Sequence, residues 1–193
     1  MVPELSILLA YMAAMTVHEL AHYAVARWYG VRVERVMIGW DLGGVPLVSY
    51  DHRGTVFGIG WVPVLSYVKL SGQERADLGD ESRRPGRGYE VQDRTGDERT
   101  AIEMAGIWAN LVMVAFAMGY GPEPGSWMMH LMITSAFLAL YNLAPIGMTD
   151  GGRVFTRIAT AYSLSPRITG VVRWALVCLM ALTFLCFLSL WVW

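Results

Sequence analysis

The chain has 193 residues, 55% hydrophobic and 16% charged, with a formal net charge of −1 and a mean hydropathy of +0.41. So apolar a composition excludes an ordinary soluble domain and implies several membrane spans; a nearly neutral chain gives no ground for a nucleic-acid partner, and none is expected. The two cysteines, Cys178 and Cys186, both fall in the last apolar stretch and read as packing residues, not as a disulfide or a metal pair.

The first span is expected over about 3–28, with Gly30 as its stop. No basic segment and no small-residue cleavage site precede its second half, so it reads as a retained span and not as a removed signal peptide. Ten of the twelve residues from 5 to 16 are apolar, and His18-Glu19-Leu20-Ala21-His22 follows directly. Ionisable groups in such a stretch are costly and default to a functional reading. On a helix, residues four apart share a face, so His18 and His22 can offer two imidazole nitrogens to one metal ion. Glu19 is rotated away from that pair and can act as general base on a water at the metal. The alternative is a polar patch that joins two helices.

Residues 31–70 change in character. Valine, isoleucine and aromatic β-formers alternate with Gly39, Gly43-Gly44, Gly54, Gly58 and Gly60, too broken for a spanning helix. A small β-structure at the membrane surface is expected, with Asp51-His52-Arg53-Gly54 as a hairpin turn. Residues 71–99 read as a charged solvent-side loop, and the basic run at 83–87 as lying on the anionic inner leaflet or in solvent. Thr95 and Glu98 have capping-box spacing for the next helix. The second span is expected over 100–120, the third over 127–145 with its helical run from Trp127 to Leu143, and the fourth over 171–193, with Trp191 and Trp193 as interfacial anchors. A short amphipathic piece carrying Arg153, Arg157 and Arg167 precedes the fourth. The fold class expected is an all-α polytopic membrane protein of about four spans, with a β-hairpin or small sheet between the first two, forming one domain over 1–193.

All 15 Lys and Arg residues lie in 27–99 or 153–173; none lies before span one, between spans two and three, or after span four. The positive-inside rule therefore puts both basic regions in the cytoplasm and both termini outside, in a multi-pass inner membrane protein. By the same count His18 lies about 20 Å below the outer surface and Asn142, on the parallel third span, about 22 Å. Asp150-Gly151-Gly152 follows the helix-breaking Pro145 and Gly147. Asp150 reads either as a third ligand, its glycines permitting close backbone approach to span one, or as an ordinary N-cap for the segment after it.

His18 to His22, taken with Asn142-Leu-Ala-Pro145-Ile-Gly-Met-Thr-Asp150-Gly151, closely resembles the site-2 proteases, intramembrane zinc metalloproteases of peptidase family M50 that pair H-E-x-x-H with N-x-x-P-x-x-x-x-D-G. Gly54-Thr55 through Ile59, Pro63 and Tyr67-Val68-Lys69 resembles that family's membrane-associated β-hairpin, and Ala105-Gly106 with Ala109-Asn110 its intervening helix. Leu65 and Ser66 stand where bacterial members tend to carry two glycines, and Ile107 where the family usually has proline. The turn at 119–126 leaves no room for a PDZ domain, and no CBS-like domain follows span four, so a minimal core is expected. The resemblance implies one zinc ion on His18, His22 and Asp150, Glu19 as base, and Asn142 as a candidate oxyanion donor. It implies a single-span membrane protein as substrate, such as an anti-sigma factor. The alternatives are a membrane zinc protease of another family acting on misfolded proteins, and a catalytically silent protein that binds spanning helices.

Overall fold

In a computed structural model, residues 3–63, 65–73, 88–147 and 149–192 are described. The basic run at 83–87 and the Trp193 anchor fall outside them. Two compact units are found, residues 15–106 and residues 1–14 with 107–193.

In the unit of residues 15–106, helix α1 (Pro3–Trp28) ends as its sequence requires. The Gly30 N–H bonds the Arg27 carbonyl and the Val31 N–H bonds the Ala26 carbonyl, the paired bonds of a Schellman stop with Gly30 at positive φ. Strands β1 (Val33–Ile38), β2 (Val48–His52), β3 (Thr55–Ile59) and β4 (Tyr67–Leu70) follow. They form one sheet in the order β2-β3-β1-β4. β1 runs parallel to β3, and the other pairs are antiparallel. The expected hairpin is β2–β3, closed by Arg53 and Gly54, both at positive φ with His52 opposite Thr55, as a two-residue type I′ turn requires. The sequence reading of a hairpin thus grows into a four-stranded mixed sheet. Val33 and Val36 of β1 and Leu70 of β4 pack with Ala26, Val31, Val91 and Ile102 into the core of this unit. That core fastens the end of α1 to the sheet and to the start of helix α2 (Gly96–Gly119). The capping box of α2 is present: the Thr95 N–H donates to Glu98 Oε2 at 2.8 Å and the Glu98 N–H to Thr95 Oγ1 at 3.3 Å.

The other unit contains helices α3 (Trp127–Leu143), α4 (Asp150–Ala161) and α5 (Pro166–Val192), with the first part of α1 and α2 from Ile107 onward. His130 in the first turn of α3 bonds the buried Ser6 hydroxyl of α1 through Nδ1 at 2.8 Å. The fourth span was expected from 171. Its helix starts at Pro166, because proline is preorganised for the first helical turn and the Ser165 hydroxyl accepts from the Ile168 N–H at 3.4 Å. Cys178 and Cys186 are both free and exposed, so they do not pack inside the protein.

Three helices among the described residues are long and apolar enough to cross a membrane: Glu4–Trp28, Gly96–Gly119 and Pro166–Thr183. The fourth expected span, Trp127–Leu143, is a shorter apolar helix of 17 residues, about 25 Å long against a hydrocarbon core of about 30 Å.

Candidate metal centre

The second half of α1 holds His18, Glu19 and His22, all buried. Their local structure follows from an apolar helix with no breaker between Leu5 and Trp28. The i, i+4 spacing sets the two imidazoles edge to face, with ring centroids 4.7 Å apart and planes at 74°. Their Nε2 atoms come to 3.1 Å from each other. His22 Nδ1 lies 2.7 Å from the Ile102 carbonyl of α2. A carbonyl can only accept, so that nitrogen carries the hydrogen and the His22 Nε2 lone pair is turned toward His18. Metal-binding histidines are held in this way, with the second nitrogen fixing tautomer and ring orientation. Two nitrogens on one tetrahedral zinc, each about 2.0–2.1 Å from it, would be about 3.3–3.4 Å apart. The observed separation is close to that, so the pair fits a shared divalent ion.

Gly106 of α2 faces the same point. A Cβ built on it would stand 2.5 Å from Nε2 of both His18 and His22. Only a residue without a side chain leaves that space open. In the sequence alone Ala105-Gly106 marks only a family resemblance, with no role at the site for Gly106. A small-residue pair inside an apolar helix was the available signal.

In the other unit, Asn142 lies in the last turn of α3. Its Nδ2 donates to the Leu138 carbonyl, one turn back, at 3.1 Å, so its amide bonds within its own helix. Asp150 is the first residue of α4 and is not the cap. Thr149 is the N-cap, its hydroxyl accepting from the Gly152 N–H at 3.1 Å. This removes the capping alternative for Asp150. The close backbone approach of Gly151 is to Leu143, where an added Cβ would run into the carbonyl, and not to span one as expected. It folds the start of α4 against the end of α3.

The other departures also have a local account. Leu65 has φ +60, the left-handed region where a glycine would be unstrained. The Ser66 hydroxyl accepts from the Gly39 N–H at 2.8 Å and lies 3.7 Å from Met15 Sδ, connecting the sheet region to α1. Beside it, Arg35 Nη1 and the Tyr67 hydroxyl both donate to the buried Asp41 Oδ2, each at 2.9 Å. Ile107 is fully buried.

An H-E-x-x-H helix with its imidazoles buried and oriented is the arrangement of a metallopeptidase. The family model for peptidase family M50 matches residues 6–122. The chain belongs to that family, the site-2 protease family that its motifs resemble. It is 33% identical over 123 residues to the metalloprotease MmpA of Caulobacter vibrioides, covering 56% of this chain and 30% of that protein. It is 37% identical over 103 residues to the regulator of sigma-E protease RseP of Salmonella typhimurium, covering 53% and 22%, and 34% identical over 112 residues to RseP of Escherichia coli, covering 58% and 24%. The chain thus spans less than a third of the length of these relatives. The family match ends before Asn142 and Asp150.

Proposed function

We propose that this chain is an intramembrane zinc metalloendopeptidase, acting as one domain, that hydrolyses a peptide bond within or near the membrane span of a single-span protein. The observation that carries the reading is the pair of buried imidazoles, held with Nε2 atoms 3.1 Å apart by the bond from His22 Nδ1 to Ile102. His18 and His22 would be two ligands of one metal ion, and the resemblance of 142–151 to the family's second motif supports Asp150 as the third; mixed nitrogen and carboxylate ligation suits zinc. Bound zinc supplies Lewis acidity, which brings proton loss from water into the neutral range.

The remaining work falls to the chain. Glu19 takes the proton of the attacking water and later returns it to the leaving amine. Its burial keeps bulk water from competing for that proton. Asn142 can turn an amide hydrogen toward the developing oxyanion, giving up its bond to Leu138. A helical substrate must first unwind. Strands β2 and β4 are the sheet's two outer strands, and β2 is exposed along its whole length. An unwound segment can add to such an edge by main-chain hydrogen bonds. The family resemblance makes a single-span anti-sigma factor the first substrate to try, in keeping with relatives whose names carry sigma-E.

The test is Glu19→Gln in the full chain, co-expressed with a single-span substrate and followed by mass spectrometry of membrane fragments. Cleavage is expected to fall by about 10²–10⁴-fold with zinc content retained. Undiminished cleavage by the variant would refute the mechanism. Absence of any Glu19-dependent fragment from the wild-type membrane would favour a silent helix-binding protein.

A further inference from the structure

Helix α4 and the turn into α5 carry a feature that the proposed chemistry does not use. Between 151 and 193 the chain has four arginines, Arg153, Arg157, Arg167 and Arg173, and no aspartate or glutamate. α4 is two-sided. At about 100° per residue, Arg153, Thr156, Arg157 and Thr160 lie on one side, and Phe155, Ile158 and Tyr162 on the other. Phe155 on that side is half-buried, but past it the side is open: Ile158 is 51% exposed and Tyr162 76%. Exposure of large apolar residues continues through Leu164 and Ile168, with exposed Arg167 between them. The Arg173 guanidinium sits over the Phe155 ring, 5.6 Å from its centroid. This cation–π contact ties the early turns of α5 to α4 and holds a positive charge beside the apolar side.

An exposed apolar stripe flanked by arginine is the pattern of an element lying in the headgroup plane. Arg167 and Arg173, the two that follow α4, have no aspartate or glutamate near them in sequence, so the complementary surface is anionic. We propose that residues 153–173 form an interfacial binding site for anionic phospholipid. Ile158, Tyr162, Leu164 and Ile168 enter the acyl boundary, and Arg167 and Arg173 take the lipid phosphate. The site does not depend on the protease reading, because it uses none of His18, Glu19, His22, Asn142 or Asp150.

The test is native mass spectrometry of the full chain from non-ionic detergent, titrated separately with dioleoylphosphatidylglycerol and dioleoylphosphatidylcholine. The anionic lipid is expected to be retained at a concentration roughly 30-fold lower, from two arginines facing an anionic surface. R167Q with R173Q is expected to bring phosphatidylglycerol to the level of phosphatidylcholine, while R167K with R173K keeps most of the preference. R167Q alone, at an exposed helix start where folding is least at risk, should lose roughly 5-fold. Equal retention of the two lipids by wild type, or an undiminished preference in either Gln variant, would overturn the proposal. So would displacement of the lipid by glycerol phosphate at equal concentration, since that would mean a free-phosphate site and no membrane contact.

Discussion

His18 and His22 converge because two bonds of different origin agree. The helix supplies the four-residue spacing, and Ile102 supplies the acceptor that turns the His22 ring. Ile102 is itself locked in the core with Ala26 and Val33, so the ring's orientation is tied to packing some distance from the chemistry. Substituting His22→Ala, or Asp150→Asn, should lower zinc per protein measured by atomic emission. Unchanged zinc in either variant removes that residue from the ligand set. Gly106 gives a sharper test. Alanine there is a better helix former than glycine by about 1 kcal/mol, so Gly106→Ala should keep its helix content. Its Cβ, however, would need to occupy space 2.5 Å from both ligand nitrogens. The expected outcome is a folded protein with little or no zinc and no protease activity. Full zinc occupancy would show that the imidazoles do not aim toward α2.

At the level of elements, the sequence was most legible where a single local rule governs. The Pro3–Trp28 helix with its Gly30 stop, the Thr95–Glu98 cap, and the Arg53-Gly54 turn each follow from a few neighbouring residues. What could not be read was pairing over distance. The parallel partnership of β1 with β3 leaves no mark in either strand, and β4 is only four residues long. The start of α5 was misplaced because Arg167 and Gly170 look like connector residues, while the proline that begins the helix acts through backbone preorganisation. The histidine pair was legible from its spacing, whereas the part played by Gly106 needed α2 to be placed against α1. The Arg35–Asp41–Tyr67 cluster at one end of the sheet is a similar non-local feature, and it makes a pH prediction. Burial pushes the Tyr67 phenol above its ordinary value near 10, and its bond to Asp41 adds to the shift. The folded form therefore holds the proton more tightly than the unfolded one. The stabilisation is complete below about pH 10 and is lost as pH rises through the folded value. Fluorescence of Trp40 and Trp61, which flank the sheet, should show lower thermal stability above that pH. Tyr67→Phe should flatten the alkaline decline, and an unchanged decline in that variant would assign it to other groups. Leu65→Gly, which relieves a left-handed backbone, should raise stability slightly in the same assay.

For the molecule as a whole, the question is how its apolar helices meet the bilayer. Three have the length and composition to cross, and α3 is shorter. A helix of about 25 Å can still cross if the bilayer thins locally or the flanking turns enter the interface, at a cost of fractions of a kcal/mol per Å of mismatch. A crossing α3 is the arrangement the positive-inside rule predicts: the turn at 120–126 has no Lys or Arg, whereas basic residues fill 27–99 and 153–173. If α3 lay on the surface instead, the two basic regions would fall on opposite sides of the membrane, against that bias. Single cysteines decide between these arrangements, in a background with Cys178 and Cys186 replaced by alanine. Gly125→Cys should react with a membrane-impermeant maleimide in intact cells. Ser82→Cys and Ser163→Cys should react only after permeabilisation. Labelling of Ser163→Cys from outside, with Ser82→Cys protected, would mean that α3 does not span. Asp150 would then face the opposite side from the end of α1 that carries His22, and the proposed zinc ligation would fail with it.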